Sequence, residues 1–339
     1  MLPEYVKFYY DKLPAVKKDI YMQMYNGLKN HKKRINIKTD LSIITTNDLQ
    51  YIFTCLYNDT PSFYFVNILQ SQYLKTPSGY IFIKDFIYSD SDIKKFDKLL
   101  IDGLANFKKK YINERMTDYE KELAIHDYLV STVSYDEESI REEELKAKHG
   151  EIFNVLGPLL RKKAVCWGIA CAFKLICDYC GVKCFVIIGD SLPIISNSPG
   201  HAWNIVRIDD ENYHVDVTWD IKKKGDISYS YDYLNLDDHL IKLNHTWDDL
   251  IYPPCNALKY NYYNRNKLYV RTLEQIPDYV RNRIDTGETY ITFKYANNMP
   301  PKNEILLRIR DGVQKSKKRV AYKYLINTET HNVYIELKN

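Results

Sequence analysis

The stretch KKAVCWGIACAFKLICDYC, residues 162–180, places Cys166 at the start of an apolar run with helical spacing. Further along, GHAWNIVRIDDENYHVDVTWD, residues 200–220, supplies His201 and Asp216. A thiol, an imidazole and a carboxylate are the groups of nucleophilic acyl transfer. The thiolate attacks a carbonyl, the imidazole moves the proton, and the carboxylate holds the ring. A helix N-terminus favours thiolate, because unpaired N–H groups and the positive end of the helix dipole face the sulfur. The N–H of the Cys itself can help hold an oxyanion. Gly168 lets another backbone approach the first turn closely. Two readings of Cys166 fit these facts. It is an activated nucleophile, or it is a small buried hydrophobe, the usual fate of a free Cys.

The other thiols sharpen the contrast. The chain has seven Cys, five of them between Cys166 and Cys184. Ile169, Ala172, Phe173, Ile176, Cys177 and Cys180 recur at spacings of three and four, which makes one apolar stripe. Cys177 and Cys180 have the CxxC spacing of a zinc site, but Cys184 opens an apolar strand and no second pair accompanies them. We expect no metal there and assign no cofactor. In the second stretch, the hairpin turns near Asp210. Strand alternation places His201 and Asp216 on one side of the sheet and His214 on the other, but the hairpin register leaves His201 and Asp216 roughly 13 Å apart unless a looser turn or a bulge brings them together. His214 therefore reads as structural.

The elements that must position these residues follow from periodicity and caps. Residues 10–30 read as a helix, RINIKT as a short strand, and TNDLQYIFTCLYND as a helix that opens on Thr and Asn. Two strands follow, joined around Pro77, Ser78 and Gly79, and then a capped helix from SDSD onward. Thr117 and Glu120 have capping-box spacing. The helix from Cys166 to Cys180 precedes the buried strand CFVIIGD and the hairpin. After YPPC, at residues 252–255, the order is helix (272–284), strand TYITFKY, helix (301–311), and strands RVAYKYLI and NVYIEL. The two flanking regions thus share one order of helix, strand, helix, strand, strand. Either a diverged duplication or a chance recurrence of short alternations explains it.

Composition excludes little but excludes it clearly. Of 339 residues, 45% are hydrophobic and 27% charged, ordinary for a globular chain long enough for several domains. The net charge is +4 with short, scattered basic runs, so no nucleic-acid partner is expected. Tyr is frequent, at 31 residues, which says little about chemistry. No run approaches the ~20 apolar residues of a membrane span, and the N-terminus lacks a signal-peptide core. No membrane partner is expected, and the cytoplasm is the default location unless a leader is missing.

Three blocks, AVCWGIACAF, GHAWNIV and YHVDVTWD, together resemble the transglutaminase-like superfamily of thiol enzymes. The segment YDYLNLDDHLIKLNHTWDDLIYPPC is similar to the one following the Asp in bacterial members. The resemblance implies that Cys166 is the nucleophile, His201 the general base and Asp216 its orienting acid. It also implies a second oxyanion donor upstream of the Cys. Tyr135, in VSYD, is the candidate by position, against a Tyr that simply packs after a helix end. Trp167 departs from the bacterial pattern, which often has a polar residue there. Its indole could narrow the cleft or stack on a substrate. The expected fold is α+β, a papain-like core of a helix packed on an antiparallel sheet. The core is expected over 116–255, between an α+β unit at 1–115 and another at 256–339. The implied function is thiol acyl transfer on protein or peptide amides, hydrolytic rather than cross-linking. The runner-up is a catalytically inactive binding or scaffold protein on the same fold. Oligomeric state is not readable.

Overall fold

The computed structural model describes residues 7–138, 150–192, 200–221, 231–296, 298–328 and 330–338. The chain divides into two compact units. The first comprises Met1–Asp190 and Ile194–Asp210, the second Ser191–Pro193 and Glu211–Asn339. Both mix helices with antiparallel sheet, as the sequence implies. No helix among the described residues is long and apolar enough to cross a membrane.

The first unit opens with α1 (Phe8–Lys12) and α2 (Ala15–Lys29). The helix expected over residues 10–30 is thus two helices. Pro14 separates them, because proline disfavours helical backbone in the residue before it. Strands β1 (Arg34–Lys38), β2 (Val66–Thr76) and β3 (Gly79–Phe86) form an antiparallel sheet in the order β1-β3-β2. Between them runs α3 (Thr46–Asp59), started by a full capping box of Thr45 and Asp48. Helix α4 (Asp90–Tyr111) precedes α5 (Asp118–Thr132), whose Thr117 and Glu120 make the expected capping box.

The centre of this unit is α6 (Cys166–Cys180), which packs on the antiparallel pair β6 (Lys183–Ser191) and β7 (His201–Ile208). Gly181, at φ 80°, ends the helix as a left-handed cap. The sequence predicts one apolar stripe, but α6 is buried almost all round, including Lys174 and Asp178. Those two interrupt the apolar pattern, and the fold accommodates them as a pair. Lys174 Nζ lies 2.9 Å from an Asp178 oxygen, one turn along, and 3.3 Å from Cys184 O. A buried pair with its hydrogen bonds met is tolerated where a single charge is not. The N-terminal segment docks on the same core. Phe8 stacks on Phe185 with centroids 4.0 Å apart, and the Tyr9 hydroxyl donates to Val186 O.

In the second unit, β8 (Glu211–Val215) pairs with β9 (Leu234–Leu236), and the short β10 (His245–Thr246) follows in the chain. The ladder skips Asn235, which sits at φ 58°. The C-terminal sheet contains β11 (Tyr269–Val270), β12 (Tyr290–Tyr295), β13 (Ala321–Asn327) and β14 (Asn332–Lys338), in the order β11-β12-β14-β13. Helices at Gln275–Thr286 and Lys302–Lys315 cover one face with Ile276, Val280, Ile305 and Ile309. Set aside β11, and this region repeats the N-terminal one in element order and in sheet order, first–third–second strand.

Candidate active site

Cys166 is the first residue of α6. Its preceding residue, Val165, is the N-cap, with no side chain to cap the helix, so the first-turn N–H groups are left for other acceptors. Two features fix this turn. Val165 N donates to Ile152 O at 3.1 Å. At Gly168, a methyl group would lie 2.3 Å from the same Ile152 O and 3.1 Å from Asn154 O. The close backbone approach inferred from Gly168 is present, and only glycine permits it.

Burial separates the seven thiols. Cys166 is half-exposed, and the other six are buried. Burial pushes the Cys171 thiol up to about 12 and the Cys180 thiol up to about 11. Burial, with Cys184 beside it, also raises the Cys177 thiol well above its ordinary value. These thiols stay protonated and act as core hydrophobes.

Backbone pairing places Tyr135 beside the segment that leads into α6. Tyr135 lies on β4 (Ser134–Tyr135), which pairs in parallel with β5 (Lys163–Ala164), and Tyr135 is opposite Ala164, two residues before the thiol. Trp167 is tied to α3. Its indole N–H donates to Asn58 Oδ1 at 3.0 Å, and its ring meets the edge of Tyr57 at 5.6 Å. His201 is buried and opens β7, opposite Gly189 on β6. Gly200, at φ 111°, makes the entry to the strand with a backbone that other residues rarely adopt. Asn204 ties β7 to the helix by donating to Ala170 O at 3.1 Å.

In the second unit, Asp216 follows β8 and is the N-cap of a short helix, α7 (Val217–Asp220). Its Oδ1 accepts from Thr218 N at 2.9 Å and Trp219 N at 3.2 Å. Its own N–H donates to Tyr233 O at 3.0 Å, beside the Asn235 bulge. Its Oδ2 lies 3.0 Å from His245 Nε2. His245 Nδ1 is 2.6 Å from Asn244 Oδ1, and Asn244 Nδ2 is 2.6 Å from the Tyr233 hydroxyl. His245 is the residue sequence reasoning missed. Its signal was the NHTWDD segment, similar to bacterial relatives but without a role attached to any residue in it.

His214 also has a partner. Its Nε2 lies 2.9 Å from Asp238 Oδ1, which accepts Cys255 N–H at 3.2 Å as well. Donor atoms of His214, Asp238 and Cys255 lie within 4.8 Å of one another, and they are types that could hold a metal ion. The hydrogen bonds account for this carboxylate by themselves. Burial is the main force lowering the His214 pKa, with Asp238 opposing it.

Comparison with known proteins follows the same core. Residues 105–217 match the family model of the transglutaminase-like superfamily, a span that includes Cys166, His201 and Asp216. Over these residues the chain is similar to that superfamily. No curated protein matches the chain. Among solved structures, a "Putative Cysteine Protease" from Cytophaga hutchinsonii is 16% identical, with a TM-score of 0.27, over 44% of this chain and 61% of that one. A structure described as a TGase is 14% identical, with a TM-score of 0.30, over 58% of this chain and 52% of its own. The chain thus spans less than two thirds of the length of either.

Proposed function

We propose that the protein is a thiol acyl-transfer enzyme acting on protein or peptide amides, with Cys166 as nucleophile, His201 as general base and Asp216 as the acid that orients it. The observation that carries this reading is the position of Cys166. It is the half-exposed thiol among seven, at the N-terminus of a buried helix. In this reading the Cys166 thiolate attacks an amide carbonyl. His201 takes the thiol proton and returns it to the leaving amine, and water then resolves the thioester. The Cys166 N–H and Tyr135 hold the oxyanion. His245 holds the Asp216 carboxylate in place through Oδ2. Trp167, tied to Asn58, forms a fixed wall of the first turn.

Water is the proposed acyl acceptor, with amine transfer as the other way of resolving the same thioester. The test incubates a peptide library with the protein, with and without a primary amine. New N-termini indicate a peptidase, released ammonia a deamidase, and incorporated amine a cross-linker. No change in any peptide would leave the inactive scaffold as the better reading.

A further inference from the structure

We propose that the C-terminal region of the second unit carries a binding site for a small organic anion, with Lys294 meeting its phosphate or carboxylate head. A cavity of about 580 Å³ opens in this unit, within the size range of small-molecule sites. Lys267, Arg271 and Lys294 line it, against Asp237 as the one acid among the described residues. Leu243 and Leu258 add an apolar wall. None of Cys166, His201 and Asp216 lines it, so this site goes beyond the proposed reaction.

Lys294 is the residue that demands a ligand. It lies on β12, whose alternate residues Ile291, Phe293 and Tyr295 join the apolar core. The two-residue period of a strand turns Lys294 to the opposite face. There it is only 3% exposed. Its ammonium makes no hydrogen bond or ion pair among the described residues; its contact is with the Tyr263 ring, 5.5 Å from Nζ to centroid. The nearby acids are already engaged. Asp232 accepts the hydroxyls of Tyr263 and Tyr334, and Asp237 Oδ1 accepts Leu240 N at 2.8 Å. Withdrawing an ammonium from water without an acceptor is costly. Burial accordingly pulls its pKa below that of a free lysine, against the pull of Asp232, Asp237 and Asp220. An anion in the cavity supplies the acceptor that the protein does not. Arg271 and Lys267 add charge to the same space, and the leucine wall fits an organic body.

The test is calorimetric titration of the full chain with phenyl phosphate and with benzoate, at physiological chloride. The two probes share an apolar ring and differ in the head group, so their ranking identifies the head preferred. Wild-type protein should bind at least one of them saturably. Lys294→Met should weaken that binding by about tenfold or more, the size of a lost charge-assisted contact. Cys166→Ala should leave it unchanged, which separates this site from the reaction proposed above. Binding of neither probe to the wild type, or equal binding to Lys294→Met, overturns the proposal. If Lys294→Met does not fold, the double variant Lys267→Ala, Arg271→Ala replaces it. A comparable loss supports the site, and an unchanged affinity overturns it.

Discussion

Nε2 of His245 lies 3.0 Å from Oδ2 of Asp216, and neither side chain reaches solvent. A carboxylate only accepts, so Nε2 carries a proton. Nδ1 faces Asn244, and two arrangements satisfy it. The ring donates from both nitrogens as a cation, or the Asn244 amide is turned to donate to a neutral ring. In both, the imidazole N–H holds Asp216 from one side while Thr218 and Trp219 N–H groups hold it from the other. His245→Ala should therefore lower kcat/KM by about tenfold to a hundredfold, the effect of losing a charge-assisted hydrogen bond of about 1.5–3 kcal/mol. His245→Gln, which keeps a donor, should recover part of the loss. Undiminished kcat/KM in His245→Ala would show that Asp216 needs no such support, or no role at all.

Exposure predicts the order of thiol reactivity. Iodoacetamide should label Cys166 before the six buried thiols of the folded protein. Peptide mapping after brief exposure checks this. His201→Ala should slow the labelling, because the imidazole is the group proposed to draw off the thiol proton. First labelling at Cys177 would mean that the wrong sulfur has been assigned.

Gly168 ties stability to chemistry. A methyl there would press on Ile152 O, a backbone atom that already accepts Val165 N. Gly168→Ala should cost about 1–3 kcal/mol by overpacking. It should also displace the first turn of α6, so that the fraction that folds is less active per molecule. A denaturation curve and an active-site titration measure the two effects. Wild-type values for both would mean that the approach is not tight.

Asp59 gives a pH dependence with a definite sign. Its buried carboxylate accepts Tyr9 N at 3.0 Å, Tyr10 N at 2.9 Å and the Tyr21 hydroxyl at 3.1 Å. Burial nonetheless pushes its pKa up to about 6, above the 3.8 of an exposed Asp. An acid whose folded pKa is raised favours folding most when protonated. That contribution is full below the unfolded pKa and is lost as pH rises through about 6. Relative to Asp59→Asn, which does not titrate, the wild type should lose about 2–3 kcal/mol of unfolding free energy between about pH 4 and pH 7. A difference that stays constant with pH contradicts this.

The sequence was most legible where a feature is local. The central helix starts at Cys166 and ends at Cys180, as its apolar run and Gly181 imply. The capping box of Thr117 and Glu120 forms as spaced. Features that depend on distant partners were not legible. Asn58 reaches Trp167 across 109 positions, and no local pattern announces that. His245 meets Asp216 across 29 positions, on a two-residue strand too short to carry a period. Lys174 and Asp178 interrupt the apolar run, and their mutual contact lets the helix be enclosed. Pro14 is a local signal as well, and it divides the apolar periodicity of residues 10–30 into two helices.

The central claim is that Cys166 is the nucleophile. The most direct measurement is amide-bond conversion of a peptide library by wild type and by Cys166→Ala, with folding of both confirmed by circular dichroism. The account predicts conversion by the wild type. It predicts a loss of several orders of magnitude in Cys166→Ala, as expected when a nucleophile is removed, with a melting curve close to wild type. Conversion by Cys166→Ala at the wild-type rate would contradict the account.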